Sequence, residues 1–247
     1  MEEWQDTGII LTARMHSEND AIVSIITQNH GKYTGYINGA RSKRKRHLIE
    51  PATFVNCHWK SKETSNLGNW KLEEIKPTSS FYMDEPLKLS AIQSACILYD
   101  QAIPDKEGHE GLFYGLESFI NILENDDIIW LTAYIYWEIA FLKEIGYSLD
   151  LTKCAGGGTG KLIYVSPKSG VSVSEKMGEP YKDKLLKLPS FLGEKKATAT
   201  NEDLLQALEL TLYFLQNKAF AQHSHGIPEA RLIFQQRFAK YIESLNQ

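Results

Sequence analysis

The chain has 247 residues, 43% of them hydrophobic and 23% charged, with a formal net charge of −4. This composition is that of a folded globular chain and excludes a low-complexity or fibrous one. No stretch approaches the roughly 20 apolar residues of a bilayer span, and three widely spaced cysteines, Cys57, Cys96 and Cys154, exclude a disulfide framework and fit a reducing compartment.

The opening residues, Met1 to Asp6, are acidic and lack the apolar stretch of a secretory signal, which predicts a cytoplasmic protein. From Asp6 to about Ser80 the hydrophobic period is two. Strands are predicted at Gly8–Arg14, Ala21–Thr27, Lys32–Asn38, Thr53–Lys60 and Trp70–Ile75, with turn signals at Asn29-His30-Gly31 and Asn66-Leu67-Gly68. Five short strands punctuated by glycine fit a small, strongly curved barrel. In the fourth strand Trp59 and Phe54 fall on opposite faces, so at least one of them is a core residue. Cys57 and Cys96 lie in apolar patterns and are expected in cores.

After Pro86 the period becomes 3.6. Helices are predicted over Leu87–Ile103, Gly111–Leu123 and about 127–145, the last apolar nearly all round and ended by Gly146. Residues 150–195 are rich in Gly, Ser and Lys and read as an excursion, a small ribbon around Leu162–Val165. Helical patterning returns at Thr200, an N-cap with Asp203 three residues on, and Pro228 opens a last helix. The chain is thus predicted to be α+β, strands first and helices after. Residues 1–80 form the barrel and 81–247 a helical bundle with 150–195 inserted.

The small net charge hides an uneven distribution. Residues 1–80 carry 11 basic and 9 acidic side chains, 81–150 carry 3 and 13, and 151–247 carry 13 and 9. The sharpest feature follows Asn38-Gly39: five of the seven residues from Arg41 to His47 are cationic, namely Arg41, Lys43, Arg44, Lys45 and Arg46. Like charges packed on one connection repel, and such a run is most simply explained by a polyanionic partner. With Lys32, Lys60, Lys62 and the aromatic Tyr36 it forms a candidate nucleic-acid contact, because curved barrels hold single strands by stacking bases while Lys and Arg follow the phosphates. A solvated loop with no partner is the plainer alternative.

Other motifs fail on spacing. Gly156-Gly157-Gly158-Thr159-Gly160-Lys161 lacks the first glycine of a phosphate loop, since position 155 is Ala, and Leu162 stands where Ser or Thr is needed. His223 and His225 form at most half of a metal site. No nucleophile, base and acid fall in a catalytic order. The sequence therefore predicts no enzyme, no cofactor and no metal.

The stretch from Ser17 to Arg41 resembles the start of bacterial RecO proteins, a family of recombination mediators in DNA repair. The shared positions are Glu18, Asp20, Ile22, Val23, Thr27 and Gly31, then Gly39, Ala40 and Arg41, and the likeness continues through Leu48-Ile49-Glu50-Pro51. The resemblance implies an N-terminal five-stranded OB-fold that binds single- and double-stranded DNA, and a helical domain behind it. It implies strand annealing and the loading of RecA onto strands coated by single-strand-binding protein. The implied partners are RecR and the C-terminal tail of that protein, RecA being reached indirectly, and the implied location is the nucleoid. Many such proteins carry a four-cysteine zinc module. Here Cys154 matches its first ligand, while Gly157, Ser174 and Met177 stand at the others, so a ribbon without zinc is expected. The competing expectation is a protein–protein adaptor whose acidic bundle docks a basic partner, without direct DNA binding.

Overall fold

A computed structural model describes residues 2–62, 67–193 and 198–245. The chain divides into two compact units, one of residues 1–121 with 228–234, the other of 122–227 with 235–247. The change of period near residue 80 marks where strands give way to helices. The first compact unit runs past it and takes in two helices.

In the first unit β1 (Glu2–Met15), β2 (Ala21–Thr27), β3 (Gly31–Ile37), β4 (Thr53–Ser61) and β5 (Gly68–Pro77) close a barrel in the order β1-β2-β3-β5-β4. All neighbours are antiparallel except β3 and β5, whose parallel pairing of Gly35 with Gly68 and Tyr36 with Asn69 completes the ring. This is the OB-fold expected from the resemblance. One strand, β1, pairs with both β2 and β4, and its register shifts between Ile10 and Thr12. An extra residue there increases bend and twist, which lets one strand serve both sides of a tight barrel. The strand begins six residues before the predicted start. The acidic positions Glu2, Glu3 and Asp6 conceal it in the sequence; in the barrel Glu3 meets Lys60 of β4 at 2.8 Å and His58 at 2.9 Å, Asp6 meets His30 at 2.8 Å, and Glu2 accepts from the Tyr33 hydroxyl at 3.1 Å.

The barrel interior is aromatic. Trp59 is fully buried, Trp70 and Tyr33 nearly so, and Trp59 lies 4.7 Å from Trp70 and 5.1 Å from Tyr33, ring centre to ring centre. Two glycines make room for the Trp59 indole. A Cβ on Gly35 would sit 2.5 Å from Trp59 Cζ3, and one on Gly68 2.5 Å from Cζ2. Phe54 is also buried, so both members of the Phe54/Trp59 pair leave solvent although they face opposite ways.

Two helices complete this unit, α1 (Pro86–Ala102) and α2 (Glu110–Ile122). Segment 105–108 crosses the β2–β3 hairpin so closely that a Cβ on Gly31, whose φ is +82°, would meet the Glu107 carbonyl oxygen at 1.8 Å.

In the second unit α3 (Asp127–Glu144) buries Trp130, Tyr134, Ile135, Phe141 and Leu142. It is not covered all round, because Ile128, Ile129 and Tyr136 remain exposed. Gly146, at φ +90°, ends it in the left-handed conformation that a C-terminal glycine supplies. The inserted segment folds into β6 (Leu162–Val165), β7 (Ser172–Ser174) and β8 (Leu186–Lys187), ordered β7-β6-β8. Next come α4 (Asn201–Phe214) and, from Gln235 on, α5 (Glu229–Leu245), whose residues to Phe234 are counted with the first unit. The predicted cap of α4 is present in both directions, Asp203 N–H to Thr200 Oγ1 and Thr200 N–H to Asp203 Oδ2, each at 3.1 Å. The other oxygen of Asp203 accepts from the backbone and hydroxyl of Ser190, so the capping residue also fastens the end of the insertion. Among the described residues no helix is long and apolar enough to cross a membrane.

Candidate nucleic-acid interface

The basic stretch forms the connection from β3 to β4. Asn38-Gly39 turns the chain with Gly39 at φ +66°. Gly39 N–H donates to Asp20 Oδ1 at 2.9 Å and Arg41 N–H to the Asn19 carbonyl at 3.5 Å, which ties the loop to the β1–β2 turn. Within it, Lys45 and Arg46 N–H both donate to the Ser42 carbonyl at 3.0 Å, and Lys45 Nζ reaches back to the Asn38 carbonyl at 2.7 Å. The backbone is therefore held while the side chains from Arg41 to His47 stay exposed. Among the described residues no carboxylate pairs with Arg41, Lys43, Arg44, Lys45 or Arg46, and only His47 approaches one, Glu74 at 3.5 Å.

The other candidate cations differ. Lys60 is exposed but paired with Glu3, and this contact, a hydrogen bond from the ammonium first of all, lowers the Glu3 pKa. Lys62 is exposed. Lys32 requires a correction: it is 7% exposed, its ammonium donates to the Asp100 carbonyl at 2.6 Å and pairs with Asp105 at 3.1 Å, so it is not free to meet a phosphate. Two acids from the helical segment thus reach onto the barrel, and Thr12 Oγ1 donates to Asp100 Oδ2 at 2.9 Å as well. The acidic stretch does not stay clear of the barrel, as its composition suggested.

Tyr36 is half-buried on the outer face of β3, with His16 edge-on at 5.2 Å. Tyr33, Phe54, Trp59 and Trp70 of the strand region are buried and offer no open stacking surface, and half-buried Trp4 of β1 is already stacked on His30, ring centres 4.0 Å apart. Sequence reasoning missed the neighbours of Tyr36 on that face. Ile22 of β2 lies opposite both Tyr36 and Arg14, and Ser24 lies opposite both Thr34 and Thr12. The strand period of two would have put Thr12, Arg14, Ser24, Thr34 and Tyr36 on one surface once the pairing was known.

In the inserted ribbon, two of the positions that align with a zinc module, Cys154 and Ser174, come together, whereas a Cβ on Gly157 would meet nothing within 4 Å. Ser174 N–H donates to Cys154 Sγ at 3.2 Å, and the two side chains lie 3.5 Å apart. A Cβ on Gly158 would meet Met177 Cγ at 2.8 Å and Ser174 Oγ at 3.1 Å. Hydrogen bonds from Ser174, side chain first, bring the Cys154 pKa down to about 7, whereas burial pushes Cys57 and Cys96 up to about 12. One thiol, a hydroxyl and a thioether do not fit a four-ligand structural zinc, which takes Cys and His donors. Titration of the native protein with an aromatic disulfide near neutral pH should find one fast thiol, Cys154, with no zinc released. A protected Cys154 and a stoichiometric release of zinc would contradict this.

An OB barrel followed by helices places the chain in the α+β class. Two family models match it: "Recombination protein O N terminal" matches residues 1–81 and "Recombination protein O C terminal" matches 83–225. The chain belongs to the RecO family. Its relatives include proteins named DNA repair protein RecO from Rhodospirillum centenum (38% identical over 241 residues, 96% of this chain and 95% of that one). Others are from Caulobacter vibrioides (36% over 239 residues, 96% and 98%) and Rhodospirillum rubrum (32% over 247 residues, 98% of each).

Proposed function

We propose that this chain is a non-enzymatic DNA-binding mediator of recombination in DNA repair, holding single and double strands on the loop Arg41–Arg46 with Lys60 and Lys62. The observation that carries the reading is the loop itself, a fixed backbone presenting five cations with no carboxylate of the described chain beside them. Strand annealing needs no covalent step. It needs phosphate charge neutralised so that two polyanions approach, and contacts weak enough to release the duplex. Family membership supports the remaining roles: loading RecA onto strands coated by single-strand-binding protein, with RecR and the C-terminal tail of that protein as partners in the cytoplasm.

Fluorescence anisotropy with a labelled single strand tests the DNA-binding step. With about four phosphates neutralised, the slope of log K against log salt should lie near about −3. No binding at low salt would reject the reading.

One observation favours a second reading, an adaptor that docks a basic partner on the helical unit. Exposed Ile128 and Ile129, 42% and 45% accessible, stand beside Asp126 and Asp127 at a groove of about 430 Å³. The same titration separates the two, since an adaptor of this kind shows no salt-dependent affinity for the oligonucleotide.

A further inference from the structure

The sequence makes α3 apolar on nearly every side, and a helix of that kind is expected to be covered. Its first turn is not. Ile128, Ile129 and, at the end of α5, Leu245 are exposed. All three border one groove of about 430 Å³, which Asn201 at the start of α4 and Tyr241 of α5 also line. Grouped apolar side chains rimmed by polar ones mark a place where another surface sits.

Two aspartates set the charge of the groove, and they are used differently. Asp127 is held. One of its oxygens accepts from the Trp130 indole at 2.9 Å and the other from the Tyr241 hydroxyl. That second bond, ahead of burial, pushes the Tyr241 pKa up to about 12, so the tyrosine stays a neutral donor and fixes the wall of the groove. Asp126 is not held. It stands at the N-cap of α3, where an aspartate side chain ordinarily accepts from the first turn. It makes no such bond, and no other among the described residues. It is exposed at the edge of the apolar lining. A capping aspartate that leaves its helix uncapped presents its charge outward. An apolar groove with a free anion at its edge fits an apolar occupant that carries a cation.

The same chemistry excludes other occupants. A nucleic acid or an acidic peptide would meet the Asp126 carboxylate within a segment, 81–150, that carries 13 acidic side chains against 3 basic ones. A second copy seated face to face would crowd both pairs of aspartates into one small interface.

We propose that this groove docks an amphipathic helical segment of a partner protein, its aliphatic side chains on Ile128, Ile129 and Leu245 and a lysine or arginine on Asp126. The lining comes from three helices and offers no strand edge to extend, which selects a helix over an extended peptide. The inference rests on the docking half of the second reading above and does not need DNA binding to be absent.

The probe is a labelled helical peptide of about 15 residues with leucines at i, i+3, i+4 and i+7 and lysines elsewhere, set against the same peptide with glutamates for the lysines. Fluorescence anisotropy with the full chain should show binding of the lysine form and none of the glutamate form. I128S/I129S should weaken that binding about ten-fold. D126N should weaken it about three-fold, an effect that fades at high salt. All three positions are exposed, so both variants are expected to fold. Should I128S/I129S unfold, D126N decides alone. Equal binding of the two peptides, or wild-type affinity in the variants, overturns the groove as a docking site. So does a wild-type dimer in light scattering that I128S/I129S dissociates, because the face would then pair with a second copy. Both variants should hold a labelled oligonucleotide as the wild type does. Failure of the DNA-binding reading therefore has its own signature, the absence of salt-dependent oligonucleotide binding by the wild type.

Discussion

Replacing Arg44, Lys45 and Arg46 together with alanine lowers single-strand affinity on the order of a hundred-fold at 0.1 M salt. Each neutralised phosphate of a single strand releases about 0.7 counterion, so three lost contacts remove about two units of the log–log slope. One power of ten separates 0.1 M from a 1 M reference, and a slope difference of about two over that decade gives the hundred-fold loss. The effect should be the same for strands of any sequence, because phosphate contacts carry no base information. Duplex affinity falls too, since the loop meets a backbone common to both forms. The fold is not expected to suffer. All three side chains are exposed, and among the described residues no carboxylate loses a partner and the only side-chain bond removed is that from Lys45 Nζ to the Asn38 carbonyl. Relief of like-charge repulsion in the loop should leave the melting temperature equal or slightly higher. An unchanged affinity together with an unchanged salt slope would remove the loop from the interface. A fall in affinity with no change of slope would mean that the substitutions act through shape and not through charge.

The loop was legible in the sequence because charge repulsion has no long-range requirement. Five cations in seven residues mean the same in any fold that leaves them exposed. The strands were legible for a similar reason: alternation is local, and four of the five appear within about two residues of their predicted bounds. The start of β1 was not, because Glu2, Glu3 and Asp6 look like a solvated terminus until Lys60, His58 and His30 are placed beside them. Lys32 failed for the opposite reason. Its place on β3 was correct, but the acids that bury it, Asp100 and Asp105, lie about 70 residues away and belong to a segment whose composition suggested repulsion from the DNA face. The burial of Ser24 could not be seen from the chain at all: all seven residues of β2 are buried, and the Ser24 hydroxyl has no hydrogen-bond partner among the described residues. Aromatic content is ambiguous until the fold is known. Trp59 and Trp70 offer the chemistry of base stacking, but a barrel this narrow needs bulk at its centre, and the glycines at 35 and 68 show which use prevailed.

That use makes Trp59→Ala the substitution expected to harm the fold most, by about 3–5 kcal/mol. The indole is fully buried between Tyr33 and Trp70, against two strands whose glycines leave no side chain to collapse into the space. Among the described residues its Nε1 has no hydrogen-bond partner, so no polar bond is lost and the cost is one of packing and transfer. Against a typical total stability of about 5–15 kcal/mol, that loss would bring the barrel close to unfolding at growth temperature. Urea denaturation followed by circular dichroism measures it, and a loss below about 1 kcal/mol would show that the core repacks around the cavity. Gly35→Ala supplies the complementary measurement. Its methyl would lie 2.5 Å from Trp59 Cζ3 but also 2.9 Å from the Gly68 carbonyl oxygen. Alone it should destabilise strongly, by crowding the ring and the β3–β5 closure together. In the Trp59→Ala background that ring is gone and the carbonyl and Trp70 Cδ1, at 3.1 Å, remain, so the same methyl should cost less, and the two substitutions should be non-additive in the favourable direction. Strict additivity would mean that glycine at 35 serves the strand pairing alone, and that the fit between indole and glycine does not govern how this barrel closes.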